Sequence, residues 1–140
     1  MKEIAIIGST ASGKTGLSLE IAQKTNSIIL SLDSLSVYKE IDIASAKPLS
    51  DERGDIIHFG IDEVYPNEVY DVMQFISCYK RAKEYALKNN KNLIIVGGTG
   101  FYLKVLIEGL SFGVENKIKL DMPTKDAYNL LLSIDKEYMS

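Results

Sequence analysis

"GSTASGKT" at residues 8–15 follows the short apolar run "IAII" and precedes a stretch with helical periodicity. Its spacing matches Gly-x-x-x-x-Gly-Lys-Ser/Thr, and a strand before and a helix after are the context in which this pattern binds phosphate. Gly8 and Gly13 allow the backbone to curl so that N–H groups and the helix N-terminus face an anion. Lys14 then reaches terminal phosphate oxygens, and the Thr15 hydroxyl can bind Mg²⁺. The stretch predicts a polyphosphate site; the alternative is a glycine-rich turn with an incidental lysine.

Apolar runs elsewhere extend this unit into a sheet. "EIAIIG" (3–8), "SIILSL" (27–32) and "NLIIVG" (92–97) are typical of strands buried on both faces of a parallel sheet, and "HFGIDEVYP" (58–66) adds a short strand. Apolar stripes at helical spacing lie between and after these runs, at Leu17 and Ile21, at Val72, Phe75, Ile76, Tyr79, Ala82 and Ala86, and at Leu103, Leu106, Ile107 and Leu110. Strands that alternate with helices predict right-handed crossovers. The predicted fold is α/β, a P-loop NTPase-like three-layer αβα arrangement with a parallel β-sheet, in which residues 8–15 are the P-loop.

Composition restricts the possible classes of protein. The 140 residues are 46% hydrophobic and 25% charged, which is typical of one globular domain. No apolar run approaches the ~20 residues of a membrane span, and no apolar leader follows "MKE", so we expect a cytoplasmic protein without a membrane partner. Cys78 is the single cysteine and lies in an apolar stripe, so we expect a core thiol. The net charge of −3 argues against broad attraction to nucleic acid, and any such contact must be local.

The apolar pattern divides the chain into two parts. Residues 1–110 are predicted to form the P-loop core. From Ser111 onward the pattern weakens, and residues 111–140 resemble the start of a helical region that lacks a cap and an apolar partner.

"SLDSLSVY" (31–38) contains the second candidate group. Asp33 follows the second predicted strand, at the carboxyl edge of the sheet where ligands bind in open α/β folds, so its carboxylate should face the bound phosphate. In a kinase it would orient Mg²⁺ or a substrate hydroxyl, and in a transferase it would accept a proton from a nucleophile. The alternative is a carboxylate that only caps the turn with Ser34 and Ser36.

Residues elsewhere bear on the reaction, since kinases, ATPases, GTPases and some transferases share the P-loop. A GTPase needs Asn-Lys-x-Asp to read guanine, and the nearest match, "NKIK" (116–119), has Lys119 in place of the aspartate. The third strand ends in "VGGTGFYL" (96–103), without the metal-positioning carboxylate of an ATPase. The arginines are limited to Arg53 and Arg81, although phosphoryl transfer usually recruits arginine. Either the chemistry differs or further arginines lie outside this chain.

Four stretches, in their order and spacing, resemble the motifs of tRNA dimethylallyltransferases, also called tRNA isopentenyltransferases. They are "GSTASGKT" (8–15), "SLDSLSVYKEIDIASAKP" (31–48), "HFGIDEVYPNEVYDV" (58–72) and "IIVGGTGFYLKVLIEGL" (94–110). With the strand that precedes the first stretch, the resemblance covers roughly residues 3–110. The family's usual forms are close to GPTASGKS, SADSMQVY, MDIGTAKP and VGGTGLYL. The departures from them include Ser9, Leu32, Leu35, Ser36 and the pair Ala44-Ser45, and none of these removes a reactive group.

This resemblance implies that the P-loop holds dimethylallyl diphosphate, whose prenyl group is transferred to the exocyclic amine of the adenosine immediately 3′ of a tRNA anticodon. The implied catalytic residues are Asp33, as general base, and Thr10, whose hydroxyl steadies the bridging oxygen of the leaving group. The implied diphosphate- or nucleotide-binding residues are Gly8, Ser9, Thr10, Ala11, Ser12, Gly13, Lys14 and Thr15. The residues implied to contact tRNA are Asp33, Ser34, Leu35, Ser36 and Thr99. Mg²⁺ is the implied cofactor, with Thr15 as its ligand.

The resemblance also implies the partners: the anticodon arm of tRNA and dimethylallyl diphosphate, bound by a monomer. Members of the family continue with a helical insertion that grips the anticodon arm and a C-terminal part that supplies a diphosphate-binding arginine. We therefore expect this chain alone to be weakly active or inactive. A P-loop small-molecule or nucleoside kinase and a non-catalytic phosphate-binding domain remain open as alternatives.

Several other side chains could contact a substrate, but their sequence context favours a simpler role. His58, the single histidine, is favoured as a hydrogen-bonded structural residue over a catalyst. Lys47 either approaches a phosphate or is a solvated loop lysine. Tyr38, Phe101 and Tyr102 are favoured as packing residues over platforms for a base or an allyl group.

Overall fold

Short strands of the predicted kind form a parallel sheet. The structure, a computed structural model, describes residues 1–9, 11–41, 47–98 and 100–109. Within these ranges the strands are β1 (Glu3–Ile7), β2 (Ser27–Ser31), β3 (His58–Phe59) and β4 (Asn92–Gly97). The three predicted apolar strands and the short additional strand are therefore confirmed.

The order of the strands determines which loops meet. The sheet runs β1–β4–β2–β3, and all neighbouring strands are parallel, so β4 lies between β1 and β2. Ile4 of β1 is in register with Ile94 of β4, and Ile28 of β2 is in register with Leu93. Since the carboxyl ends of parallel strands share one edge of a sheet, the loops that follow β1, β2 and β4 lie side by side.

Helices follow or separate these strands: α1 (Lys14–Thr25), α2 (Ser50–Arg53), α3 (Val72–Lys88) and α4 (Phe101–Gly109). α1 begins directly after Gly13, whose φ of 84° lies in the left-handed region that glycine adopts without strain. At the start of α3, the Asp71 carboxylate accepts from the Gln74 amide at 3.0 Å, and the Gln74 side chain accepts from the Asp71 amide at 2.7 Å. This reciprocal capping box satisfies two backbone donors at the helix start.

Two apolar layers lie on opposite faces of the sheet because successive strand residues alternate in direction. On one face, Ile28, Leu30, Leu93 and Ile95 pack against a buried face of α3, formed by Phe75, Cys78, Tyr79, Ala82 and Ala86. On the other face, Ile29 and Ile94 pack against Ala22 of α1. The predicted three-layer αβα arrangement is confirmed.

Two residues of the predicted helical stripes are exposed. Leu17 of α1 is exposed, whereas Ser18 and Ala22 are buried and Leu19 and Ile21 pack against the layer that Ala22 forms with the sheet. Ile107 of α4 is exposed, since Leu106, one position earlier and about 100° around the helix, is the buried residue. The helices predicted from these stripes are confirmed, although Leu17 and Ile107 do not contribute to the core, and Leu110 lies outside the described residues.

Residues Met1–Ile107 form one compact unit. The domain boundary between residues 110 and 111 stays a prediction, because residues 110–140 lie outside the described part of the chain. Among the described helices, none has the length and apolar character that a bilayer span requires.

Candidate functional site

The P-loop connects the end of β1 to the start of α1 along the carboxyl edge of the sheet. Ala11 and Gly13 both have positive φ, 60° and 84°, as a tightly curled loop requires. The Gly8 amide donates to the Gly97 carbonyl at 3.2 Å, which ties the loop to the end of β4. Lys14 Nζ donates to the Ser9 carbonyl at 2.5 Å, so the ammonium bridges its own loop. Thr10, a predicted catalytic and binding residue, lies outside the described residues.

Asp33 lies two residues beyond the end of β2, as its position in the sequence predicts. Its Oδ1 accepts a hydrogen bond from the Leu35 amide at 2.9 Å, which is a side-chain-capped turn. The alternative of a turn-capping aspartate therefore holds for one carboxylate oxygen. Within the described part of the chain, Oδ2 has no hydrogen-bond partner and can accept from a ligand.

One cavity of about 300 Å³ contains the two predicted groups. Lys14 and Thr15 line it from the P-loop, and Asp33 and Ser34 line it from the turn after β2. Further lining residues come from neighbouring elements: Ala11, Ser18, Ile29, Ser31, Leu32, Ser36, Lys47, Pro48, His58, Ile61, Val96, Gly97, Gly98 and Gly100. Residues of the P-loop and the Asp33 carboxylate thus line the same cavity.

The remaining predicted tRNA contacts differ in exposure. Ser34 is exposed and lines the cavity. Leu35 is exposed and lies outside the cavity lining. Ser36 lines the cavity but is only 2% exposed, and Thr99 lies outside the described residues.

The glycines at the end of β4 separate the P-loop from the Asp33 turn. A Cβ at Gly97 would lie 2.5 Å from Leu32 Cβ, and a Cβ at Gly98 would lie 3.9 Å from the Gly8 carbonyl oxygen. Since Cβ contacts below 3.0 Å essentially never occur, Gly97 is needed for this close approach. Sequence reasoning recognised these glycines as part of a motif but not their steric role.

Lys47 forms a buried ion pair that sequence reasoning missed. Its side chain is 2% exposed, and Nζ donates to Asp62 Oδ1 and, at 3.0 Å, to the Tyr38 carbonyl. Asp62 Oδ2 also accepts from the Arg53 guanidinium at 3.4 Å. The alternative of a solvated loop lysine is therefore wrong, because Lys47 lies between the cavity and a carboxylate 15 residues away in sequence. No periodicity or local motif links two such positions.

His58 lies on β3 and lines the same cavity. Its Nδ1 and the Ile56 carbonyl are 2.9 Å apart, so Nδ1 carries the hydrogen and Nε2 is an acceptor in the neutral ring. Burial lowers the pKa of His58 below its usual 6.5, assisted by the charge of Arg53 and opposed by the hydrogen bond to Ile56. The predicted hydrogen bond is confirmed, whereas the preference for a structural over a catalytic role stays a prediction, since the ring also borders the cavity.

Cys78 is fully buried in the α3 layer, as predicted. Its Sγ donates to Glu63 Oε1 at 3.3 Å. Burial, together with the neighbouring Glu63 charge, raises the pKa of the Cys78 thiol to about 12. The group stays protonated at neutral pH, and we assign it no chemical role.

The predicted metal ligand is a single hydroxyl. Within the described ranges, no three His, Cys, Asp or Glu side chains form a group that could hold a metal ion. A magnesium ion bound to a diphosphate needs only one or two protein ligands, because phosphate oxygens and waters complete its octahedron. Thr15 lines the cavity, and its side-chain hydroxyl has no hydrogen-bond partner among the described residues. The donor set therefore fits a magnesium–diphosphate ligand.

A second cavity, of about 290 Å³, adjoins the first and shares Leu32, Ser34, Gly98 and Gly100 with it. Leu103 and Tyr102 complete its lining. The Tyr102 ring stacks on Phe75 with centroids 4.4 Å apart, as the packing prediction requires, so one face of the ring is engaged in the core. The side chain of Phe101 lies outside the described part of the structure, so its predicted packing role stays a prediction.

Comparison with known sequences gives consistent matches. A family model described as IPP transferase matches residues 36–140. The tRNA dimethylallyltransferase of Aliarcobacter butzleri is 76% identical over 139 residues, which are 99% of this chain and 48% of that protein. The tRNA dimethylallyltransferase of Campylobacter curvus is 51% identical over 136 residues, which are 97% of this chain and 46% of that protein. The chain spans about half the length of the curated relatives it matches.

Comparison with solved structures gives the same fold. The full-length tRNA isopentenylpyrophosphate transferase of Bacillus halodurans matches with a TM-score of 0.73 and 27% identity, over 97% of this chain and 48% of that one. A eukaryotic dimethylallyltransferase acting on tRNA matches with a TM-score of 0.70 and 30% identity, over 98% of this chain and 37% of that one. The predicted P-loop NTPase-like fold is confirmed.

Proposed function

This chain belongs to the IPP transferase family, and we propose that it carries the diphosphate site and the general base of a tRNA dimethylallyltransferase. The proposed reaction transfers a dimethylallyl group from its diphosphate to the exocyclic amine of the adenosine immediately 3′ of the anticodon. The observation that carries the proposal is that Asp33 lines the same cavity as Lys14 and Thr15.

In the proposed reaction, the bond between the allylic carbon and the bridging oxygen breaks while the amine nitrogen bonds to that carbon. Negative charge develops on the departing diphosphate, where the P-loop N–H groups and the Lys14 ammonium stabilise it. Lys14 exchanges its hydrogen bond to the Ser9 carbonyl for one to the diphosphate. The amine loses a proton to Asp33, and Oδ2 receives it because Oδ1 already accepts from the Leu35 amide.

Mg²⁺ is the proposed cofactor, and when bound it supplies positive charge that neutralises the diphosphate. Thr15 is the proposed protein ligand, since its hydroxyl lines the cavity. The P-loop and Lys14 bind the same oxygens independently, so the protein also contributes its own positive potential.

The resemblance to the family supports the remaining assignments. Thr10 is proposed to steady the bridging oxygen, and Thr99 to contact tRNA. Ser34, Leu35 and Ser36 are proposed to border the adenine, which must leave its stack to reach Asp33. A cytoplasmic location follows from a tRNA substrate, and a monomeric state stays a prediction.

The proposal can be tested with a chimaera in which this chain replaces the matching 48% of the Aliarcobacter butzleri relative. We expect the chimaera to prenylate unmodified tRNA, and Asp33→Asn to lower its single-turnover rate by about 10²-fold or more. Binding of dimethylallyl diphosphate and tRNA should change less than about twofold, because asparagine accepts a hydrogen bond but no proton. Asp55→Asn is the control, since Asp55 is exposed and lies outside the cavity lining. Weakened tRNA binding with normal single-turnover chemistry would identify Asp33 as a binding residue instead.

The 140-residue chain by itself provides a second comparison. We expect it to bind diphosphate ligands weakly and not to prenylate tRNA detectably, since its net charge of −3 gives little general attraction to RNA. A radiolabelled transfer assay and a gel-shift titration with tRNA measure both properties. Phosphorylation of a small molecule from ATP would favour the kinase, and ligand binding without transfer by the chimaera would favour a non-catalytic domain.

A further inference from the structure

The backbone of Asp33 is held on both sides by serine hydroxyls. The Asp33 amide donates to Ser31 Oγ at 3.2 Å, and Ser36 Oγ donates to the Asp33 carbonyl at 3.0 Å. The two hydroxyls are 2.8 Å apart. These three contacts close a ring that begins and ends at Asp33.

Valence fixes the direction of this ring. An amide is only a donor and a carbonyl is only an acceptor, while a hydroxyl has one hydrogen and two lone pairs. The Ser36 hydrogen is directed to carbonyls, of Asp33 and also of Gly60 at 3.2 Å, so Ser31 must donate to Ser36. Ser36 therefore has no hydrogen left to donate to a ligand, and its hydroxyl links the turn to the end of β3.

The ring determines where the Asp33 carboxylate lies. The serines fix the Asp33 amide and carbonyl, and the Leu35 amide fixes Oδ1, so the turn determines the direction of the remaining oxygen. A second contact supports the turn from outside, because the Asp62 amide donates to the Ser36 carbonyl at 3.0 Å.

We propose that Ser31 and Ser36 are positioning residues that hold Asp33 in its reactive orientation, and that the Ser36 hydroxyl takes no part in recognising the base. This inference rests on the proposed function of Asp33. Ser36 borders the cavity, but its effect on the reaction passes through the Asp33 turn.

Amide hydrogen exchange in the 140-residue chain tests the positioning directly. We expect Ser36→Ala to accelerate exchange of the Asp33 and Leu35 amides by about tenfold, the effect of losing one hydrogen bond of ordinary strength. Ser27→Ala is the matched control, since Ser27 is a 5% exposed serine at the other end of β2 whose hydroxyl contacts Thr25. In Ser27→Ala, the exchange rates of the Asp33 and Leu35 amides should stay within about twofold of those in the unsubstituted chain. This comparison is made at a loss of global stability similar to that of Ser36→Ala.

The chimaera described above supplies a catalytic measurement. We expect Ser36→Ala to lower kcat about tenfold with KM for dimethylallyl diphosphate unchanged, and to have no further effect in the presence of Asp33→Asn. Ser36→Thr, which keeps the hydroxyl, should restore most of kcat and also covers the case in which the alanine variant folds poorly.

Unchanged exchange at both amides in Ser36→Ala, or equal acceleration in Ser27→Ala, would overturn the positioning role. Additive effects of Ser31→Ala and Ser36→Ala on amide exchange in the double variant would also overturn the positioning role. If the two serines act through one ring, the second substitution should add little to the first. The exchange measurement uses neither tRNA nor a prenyl donor. Failure of the proposed prenyl transfer is therefore distinguishable from failure of this inference.

Discussion

Asp62→Asn removes the negative charge that pairs with the buried Lys47 ammonium and keeps the size and shape of the side chain. The Lys47 side chain is 2% exposed, whereas that of Asp62 is 38% exposed and also contacts the Arg53 guanidinium. Asp62 has a φ of 53°, and asparagine is one of the residues that tolerate this left-handed conformation. Asp62→Asn therefore changes the charge without adding backbone strain.

The two partners of this pair should differ in the effect of their removal. Asp62→Asn removes the carboxylate charge beside the buried Lys47 ammonium, which keeps its hydrogen bond to the Tyr38 carbonyl. We therefore expect the free energy of unfolding to fall by about 3 kcal/mol, the lower end of the range for removing one partner of a buried pair. Lys47→Met leaves a carboxylate that water and Arg53 still solvate, so we expect a loss of about 1 kcal/mol. The double variant should resemble Lys47→Met, since no buried charge remains.

Urea unfolding at neutral pH, followed by far-UV circular dichroism, measures these differences, with equal m-values as evidence that the unfolded states are comparable. A loss in Lys47→Met that equals or exceeds the loss in Asp62→Asn would refute the reasoning. It would mean that the Lys47 ammonium is hydrated, or that its stem supplies most of the stabilisation by packing.

Further expectations concern the loop, the histidine and the close approach of β4. Lys14→Ala should abolish binding of inorganic diphosphate in calorimetry without unfolding the chain, whereas Lys24→Ala, at an exposed pair on α1, should leave binding unchanged. Burial lowers the pKa of His58 in the folded chain below 6.5, so the unfolded chain binds a proton at His58 more readily than the folded chain does. The stability that His58 contributes above pH 6.5 is therefore lost as the pH falls through the folded pKa. His58→Gln should reduce this loss, measured by urea unfolding at a series of pH values. Gly97→Ala should lower the free energy of unfolding by about 1–3 kcal/mol, because the added Cβ would lie 2.5 Å from the Leu32 side chain. Gly16→Ala, in open space on α1, should raise it by up to about 1 kcal/mol in the same assay.

Opposite results would count against each of these arguments. Equal loss of diphosphate affinity in the two lysine variants would indicate general charge attraction instead of a specific loop contact. A His58→Gln variant with the pH dependence of the unsubstituted chain would assign that dependence to other groups. Equal effects of the two glycine substitutions would mean that Leu32 moves aside at no cost.

The sequence was sufficient to predict the four strands, three of the four described helices and the positions of the two main groups of the site, whereas the short helix α2 (Ser50–Arg53) was not predicted. β2 and β4 are continuous apolar runs because both of their faces are covered, and their short length and β-branched residues favour a strand over a buried helix. The P-loop and Asp33 were predictable for a local reason. Each lies within two residues of the end of a strand, so the position of the strand in the sequence fixes its place at the edge of the sheet.

The features that were not predicted depend on contacts between residues far apart in the sequence, or on which residues of a helix pack against the sheet. The Lys47–Asp62 pair joins two loops, and nothing near either residue indicates its partner. Leu17 had the expected spacing, but the buried residues of α1 are Ser18 and Ala22, whose small side chains permit close packing. The buried hydroxyl of Ser36 resembled a turn residue in the sequence, and its hydrogen-bond ring is visible only in three dimensions.

The position of β4 between β1 and β2 has a consequence for biosynthesis. β2 ends at Ser31 and β4 begins at Asn92, so about 60 residues are translated before the strand that joins the two halves of the cavity exists. At about 5–20 residues per second, this leaves a nascent chain for several seconds with two apolar strands whose shared neighbour is missing. Unpaired strand edges are templates for aggregation, so slow codons between positions 32 and 91 should reduce the yield of folded protein.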